Sequence, residues 1–265
     1  MRTFHQAHHE HPGECQPERT VFRRRFRLRL SLAGLIGALG IAPALSAAAQ
    51  VPPVLDRPAA AADAINRDFL DPTLDPDTWV AKFEIESREV FAAREAILAA
   101  VALEPGDRIA DVGSGTGLYL RPFSTAVGAA GRVYAVDISP RLVDFIERRV
   151  KNDQLDNVAV VRSSADSTGL PPGSVTHAFV CDTYHHFEQY PAMLASIHAA
   201  LVPGGQLVVV DFDRIPGRSR EWLLTHVRAG KETVKGEIEE AGFEFLEELP
   251  VEAFKENYLF RFRRP

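Results

Sequence analysis

Residues 108–117 read Arg-Ile-Ala-Asp-Val-Gly-Ser-Gly-Thr-Gly, and twenty residues after Gly117 a second apolar run ends in Asp137. The first five residues have the apolar character of a buried strand, and glycine at 113, 115 and 117 marks a sharp turn behind it. Glycine at alternate positions lets the backbone turn tightly and approach a ligand closely, because a Cβ there would clash or forbid positive φ. An acid at the tip of the next parallel strand can accept both hydroxyls of a ribose. Together the turn and the acid predict an adenosine-type ligand lying across the carboxyl ends of two parallel strands.

Spacing narrows the choice of ligand. A dinucleotide fingerprint, G-x-G-x-x-G, would need glycine where Leu118 stands, and no lysine follows the turn as a phosphate-cradling G-x-x-x-x-G-K-[ST] requires. The remaining pattern, D-x-G-x-G-x-G, resembles the first motif of class I S-adenosylmethionine (SAM) methyltransferases, and the resemblance extends over about residues 80–263. It implies that Gly113, Ser114, Gly115, Thr116 and Gly117 face the methionine part of SAM and that Asp111 sits near its amino group. By the same resemblance Asp137, followed by Ile138, takes the ribose. Asp166, after the third strand, takes the adenine amino group, and Asp182, at the end of the fourth, completes the cofactor set. The stretch from Leu201 to Phe212, with Pro-Gly-Gly inside it, matches the family's helix-turn-strand signature, in which Gly204 and Gly205 serve the turn.

The chain outside this pattern divides into a leader, a linker and one domain. Residues 1–49 carry Arg23, Arg24, Arg25, Arg27 and Arg29, then a charge-free run from Leu30 to Ala49 ending in small residues. A basic region, an apolar region and a small-residue cleavage site are the layout of a secretory signal peptide, here of a twin-arginine kind and cleaved before Gln50. The expectation is an exported, periplasmic protein with no stable membrane domain after cleavage. The same run is long enough for an uncleaved anchor, and a misassigned start codon would leave the protein cytoplasmic. Residues 50–76 read as a linker and N-terminal extension, and 77–265 as the methyltransferase domain.

Charge separates along the same boundary. The leader has 7 arginines against 3 glutamates, leaving 23 basic and 33 acidic residues in the other 216 and a net charge of −10. An acidic domain without a basic stripe is a poor match for phosphate backbones, so nucleic acid is excluded as partner in favour of a small-molecule substrate. About 216 residues are enough for one domain with a sizeable core. Cys181 stands alone once Cys15 leaves with the leader, which excludes an internal disulfide.

Within the domain, apolar spacing predicts a helix over 78–102, with Asp77 as its cap and a break at Ser87. Strands follow at 108–112, 132–136, 158–162, 175–181 and 206–212, separated by helical patterns that include 141–151 behind the cap Ser139 and Pro140. Helices at 219–229 and 231–241 precede two strands at 243–249 and 257–263. Alternating strands and helices imply an α/β, Rossmann-like, doubly wound sheet. The family ending adds one antiparallel strand near the C-terminal edge of a mostly parallel, seven-stranded sheet.

The chemistry of transfer is read from the end of the fourth strand, Cys181-Asp182-Thr183-Tyr184-His185-His186-Phe187-Glu188. Ligands of open α/β sheets bind at the carboxyl ends of the strands, and small-molecule methyltransferases of the ubiquinone/menaquinone-biosynthesis type carry a similar His-His-Phe. Tyr184, His185 and His186 are the candidate catalytic residues, with Tyr184 or His185 as base for a hydroxyl or amine acceptor. Phe83, Arg88, His226 and Arg228 are the candidate substrate contacts. Asp182, His185, His186, Asp211, Asp213 and His226 offer oxygen and imidazole ligands, but no H-x-x-x-H or aspartate-rich spacing is present, and the sequence is read without a metal. The competing reading is an exported module that keeps SAM or another nucleoside without transferring methyl.

Overall fold

The computed structural model describes residues 65–265, so the leader and most of the linker lie outside the described residues. Two short helices come first, α1 (Arg67–Leu70) and α2 (Pro76–Phe83). The helix expected at 78–102 is instead three pieces: α2, α3 (Glu89–Ala92) and α4 (Arg94–Val101). The break falls around Ser87, as its sequence signal predicts. The cap of α2 is Asp75 rather than Asp77: its carboxylate accepts the Asp77 N–H at 3.2 Å, with Pro76 at the first helical position.

The alternation that follows runs β1 (Arg108–Val112), α5 (Leu120–Val127), β2 (Arg132–Asp137), α6 (Pro140–Asn152), β3 (Val158–Arg162) and β4 (Val175–Cys181). It continues through a 3-10 turn at Tyr184–His186, α7 (Tyr190–Ala200), β5 (Leu201–Phe212), α8 (Glu221–His226), α9 (Lys231–Glu240), β6 (Glu244–Glu248) and β7 (Asn257–Arg263). Ser139 caps α6 as expected, its Oγ accepting the Leu142 N–H at 3.4 Å. The strand order is β3-β2-β1-β4-β5-β7-β6, and β7 runs antiparallel between β5 and β6. This is the α/β, Rossmann-like sheet with one antiparallel strand near its edge.

One strand is longer than its pattern. β5 begins at Leu201, not 206, because Leu201 pairs with Val175 while Gln206 pairs with His177, and the intervening Pro-Gly-Gly segment bulges from the ladder.

Strand side chains alternate between two apolar cores. Ala110, Val112, Leu207 and Val209 pack on one face with Leu194 and Ile238. Ile109, Val208 and Val210 pack on the other with Ile97, Phe123 and Ile146. Burial of each such side chain contributes roughly 1.5–3 kcal/mol, so the two helical layers hold the sheet from both sides. Chain order reverses between β1 and β4, which flank each other with β2 and β5 outside. A crevice opens at the carboxyl ends of strands at such a switch point, and it brings the Asp111 turn and the Asp182–His186 segment together. Among the described residues no helix is long and apolar enough to cross a membrane.

Candidate active site

A cavity of about 730 Å³ occupies that crevice. Its floor is the glycine turn. Gly113 and Gly115 have φ of +78° and +57°, the left-handed region that favours glycine. A Cβ on Gly113 would lie 2.2 Å from Cγ2 of Thr183, so the turn can approach the loop after β4 this closely only with glycine there. At Gly115 a Cβ would meet nothing nearer than a Phe83 ring carbon at 3.6 Å, leaving the backbone exposed as a cradle. The Gly113 and Ser114 amides donate to the Val136 carbonyl at 2.7 and 3.0 Å, tying the turn to the end of β2.

Two acids border the turn. Asp137 accepts the Gly115 N–H on one oxygen and the Ser139 N–H on the other, each at 2.8 Å, and each oxygen keeps a lone pair for a further donor. Burial pushes its carboxyl up to about 6, against hydrogen bonds from the Ser139, Gly115 and Ile138 amides. Asp111 is pushed up to about 8, first by burial and then by the charge of Asp137. It lines the cavity, and no cation among the described residues forms an ion pair with it. A buried carboxyl without a counter-ion, beside a glycine cradle, fits a ligand that brings an ammonium group.

Both folded values lie above the ordinary 3.8, so the folded state holds protons that the unfolded chain releases. Stability is therefore lost as pH rises from about 4 through about 8. The melting temperature of the ligand-free protein is expected to fall between about pH 5 and pH 8. A flat or rising profile by calorimetry contradicts this placement of Asp111.

The wall opposite the turn comes from the N-terminal extension, from α2 and from the loop that follows it. Phe69, Trp79 and Phe83 form a ring cluster, with Phe69 and Trp79 centroids 4.6 Å apart. Asn66 anchors it by donating to the His186 carbonyl and to Glu188, both at 2.9 Å. Glu84 ties it to the floor, accepting from Thr116 Oγ1 at 2.9 Å and from Arg149 at 2.6 Å. Arg88 lies over the Phe83 ring and pairs with Asp182. Asp182 also accepts from Asn257 Nδ2 at 2.7 Å, so its carboxylate holds Arg88 and β7 together at the cavity edge.

The roof is histidine and aromatic. His185 Nδ1 donates to Asp211 Oδ1 at 2.6 Å, and Asp211 also accepts the His185 backbone N–H at 3.0 Å. The ring centroids of His185 and His186 are 4.4 Å apart, and both lie within 5.3 Å of His226. Trp222 stacks on His226 at 4.7 Å, and Phe212 meets Trp222 at 5.7 Å.

Most sequence-selected residues meet in this one cavity: Asp111, Gly113 to Thr116, Asp137, Ile138, Asp182, His185, His186, Phe83, Arg88 and His226 all line it. Four do not. Tyr184 is turned away by the 3-10 geometry, and its hydroxyl donates to Glu237 at 2.8 Å beneath the sheet end. Arg228 grips the same Glu237 with two bonds of 2.6 Å. Asp166 is exposed and accepts from Ser164 Oγ at 2.6 Å, while Ser163, Ser164 and Ala165 take its place on the lining. Gly117 closes the turn behind the cradle, with its Cα hydrogens toward Leu120 rather than the cavity. Asn66, Phe69 and Trp79 carried no signal local enough to mark them as part of a site.

A family profile described as a methyltransferase domain matches residues 109–205, from β1 to the bulge of β5. A demethylmenaquinone methyltransferase of Geobacillus sp. (strain WCH70) is 25% identical over 118 residues, 44% of this chain and 50% of that protein. A ubiquinone/menaquinone biosynthesis C-methyltransferase of Vibrio cholerae is 27% identical over 169 residues, 53% of this chain and 65% of the relative. The chain thus spans about half the length of the first of these curated relatives. The crystal structure of a SAM-dependent methyltransferase from Aquifex aeolicus superposes with a TM-score of 0.63 at 26% identity, covering 72% of this chain and 99% of that one. Residues 109–205 thus form a methyltransferase domain, and sheet order, the Asp111–Gly117 turn and the acid Asp137 are those of the class I S-adenosylmethionine-dependent methyltransferases it resembles.

Proposed function

We propose that the protein transfers a methyl group from SAM to a small, planar aromatic acceptor. One observation carries the reading: a single cavity of about 730 Å³ joins the glycine cradle and its acids to a wall of Phe69, Trp79, Phe83, Phe212 and Trp222. That volume lies in the range of small-molecule sites, about 300–1,000 Å³. Asp111 would hold the amino group of SAM, Asp137 the ribose hydroxyls, and Gly113 to Thr116 the methionine backbone. When bound, SAM supplies an electrophilic methyl on its sulfonium sulfur. Displacement at that carbon needs the nucleophile, methyl and sulfur in line, and the aromatic wall supplies the alignment by stacking a flat acceptor. The quinone names of the curated relatives agree with such an acceptor. Incubating the protein with SAM and simple hydroquinones or catechols should release S-adenosylhomocysteine only when acceptor is present. No release above background with any of them overturns the aromatic acceptor.

Affinity for SAM should rise with pH, by up to about tenfold per unit below about 8, because Asp111 must lose its proton to pair with the ligand's ammonium. Calorimetry in buffers of different ionisation enthalpy reads the released proton. An affinity independent of pH removes Asp111 from the ammonium site. Tyr184→Phe should leave turnover unchanged and lower stability by about 1 kcal/mol, the worth of one hydrogen bond; a large fall in kcat would return Tyr184 to the reaction.

The basic-then-apolar leader supports a mature protein that works after export, beginning at Gln50. Intact mass of the protein from its host tests this, and a cytosolic chain beginning near Val51 overturns it.

A further inference from the structure

We propose that His185, His186 and His226 bind a divalent first-row transition metal, zinc-like in its preferences, at the acceptor end of the cavity. No ligand spacing is legible because the three residues come from two elements forty positions apart, the 3-10 turn after β4 and the last turn of α8. In the fold, one ring nitrogen from each lies within 4.8 Å of the others. Three imidazole nitrogens on a tetrahedral ion with bonds of about 2.0–2.1 Å would stand roughly 3.4 Å apart, so the rings need to close by up to about 1.4 Å. His226 sits at the end of a six-residue helix and stacks on the half-exposed Trp222, a wall that can make this movement.

A second, independent feature points the same way. His185 presents its Nδ1 to the buried carboxylate of Asp211, which leaves Nε2 for the ion. A metal-binding histidine almost always gives its other ring nitrogen to a carboxylate or carbonyl, which fixes ring and tautomer. Asp211 is itself fixed, accepting the His185 and Phe212 backbone amides at 3.0 and 2.7 Å. An all-imidazole set suits zinc, copper, iron or nickel rather than magnesium or calcium. Three protein ligands leave a fourth position open, and the cavity that all three histidines line is where it opens. If the methyl-transfer reading holds, on which this role alone rests, a hydroxyl of the acceptor occupies that position. The ion then favours its ionised, nucleophilic form by Lewis acidity.

The test uses the untagged full chain, stripped of metal with a chelator and titrated with Co²⁺, with S-adenosylhomocysteine binding measured in parallel. The expected result is one equivalent of Co²⁺ with the visible spectrum of a tetrahedral nitrogen-rich site, displaced by Zn²⁺. His226→Ala should lose that spectrum and still bind S-adenosylhomocysteine, and Asp211→Asn should weaken the metal about 10–100-fold. The leader's own histidines are common to every variant, so the difference reads the cluster alone. Absence of the spectrum in the wild type, or its survival in His226→Ala, overturns the site. Metal binding without S-adenosylhomocysteine binding would support the site and overturn the methyl-transfer reading.

Discussion

Asp137→Ala is expected to lower affinity for SAM by roughly 100-fold. Its two oxygens would each accept a ribose hydroxyl, and a hydrogen bond to a charged group contributes about 1.5–3 kcal/mol, less than additively when two share one carboxylate. A loss of about 3 kcal/mol corresponds to that factor. The substitution also frees the Gly115 and Ser139 amides, now held at 2.8 Å, so the cradle loses an anchor along with the ligand contact. Asp111→Asn separates binding from stability. It removes a buried carboxyl raised to about 8, so at higher pH the ligand-free variant should melt above the wild type while binding SAM more weakly and without the pH dependence. Thermal scans and calorimetric titrations at two pH values check both signs.

Gly113→Ala should destabilise the domain strongly for a single added methyl. The backbone there has φ of +78°, and left-handed conformation costs an alanine roughly 1–2 kcal/mol. The added Cβ would fall 2.2 Å from Thr183 Cγ2, on a short β-branched side chain that cannot swing aside. Overpacking of this kind costs about 1–3 kcal/mol. The sum lowers the melting temperature by roughly 5–20 °C in a domain of this size. Combining the change with Thr183→Ala should recover the steric part and leave the backbone part, and a double variant no better than Gly113→Ala locates the damage elsewhere.

The parts of this protein legible in its sequence are those governed by local physics. Parallel strands buried on both faces are apolar runs, so β1 to β4 lie within a residue of their patterns, and the turn after β1 is marked by its own glycines. Ser139 before Pro140 caps its helix because that signal is complete within four residues. What was not legible depends on distant partners. Tyr184, His185 and His186 are neighbours in sequence, yet the 3-10 turn sends them to Glu237, to Asp211 and against Phe69, and nothing local says which goes where. Arg228 looked like a substrate contact until Glu237, nine positions on, claimed its guanidinium. The wall made by Asn66, Phe69 and Trp79 was invisible because its residues sit in or beside a stretch with the composition of a linker, and because Asn66 and Phe69 meet His186 and Glu188 more than a hundred residues away.

The glycine turn and the aromatic roof together are expected to carry out methyl transfer to a small molecule. Incubation of the protein with host extract and SAM carrying a deuterated methyl, followed by mass spectrometry of the low-mass fraction, tests it directly. A labelled small-molecule product should appear with the wild type and be lost with Asp137→Ala. Label found only in protein or nucleic acid, or SAM bound tightly and recovered unchanged, would contradict it.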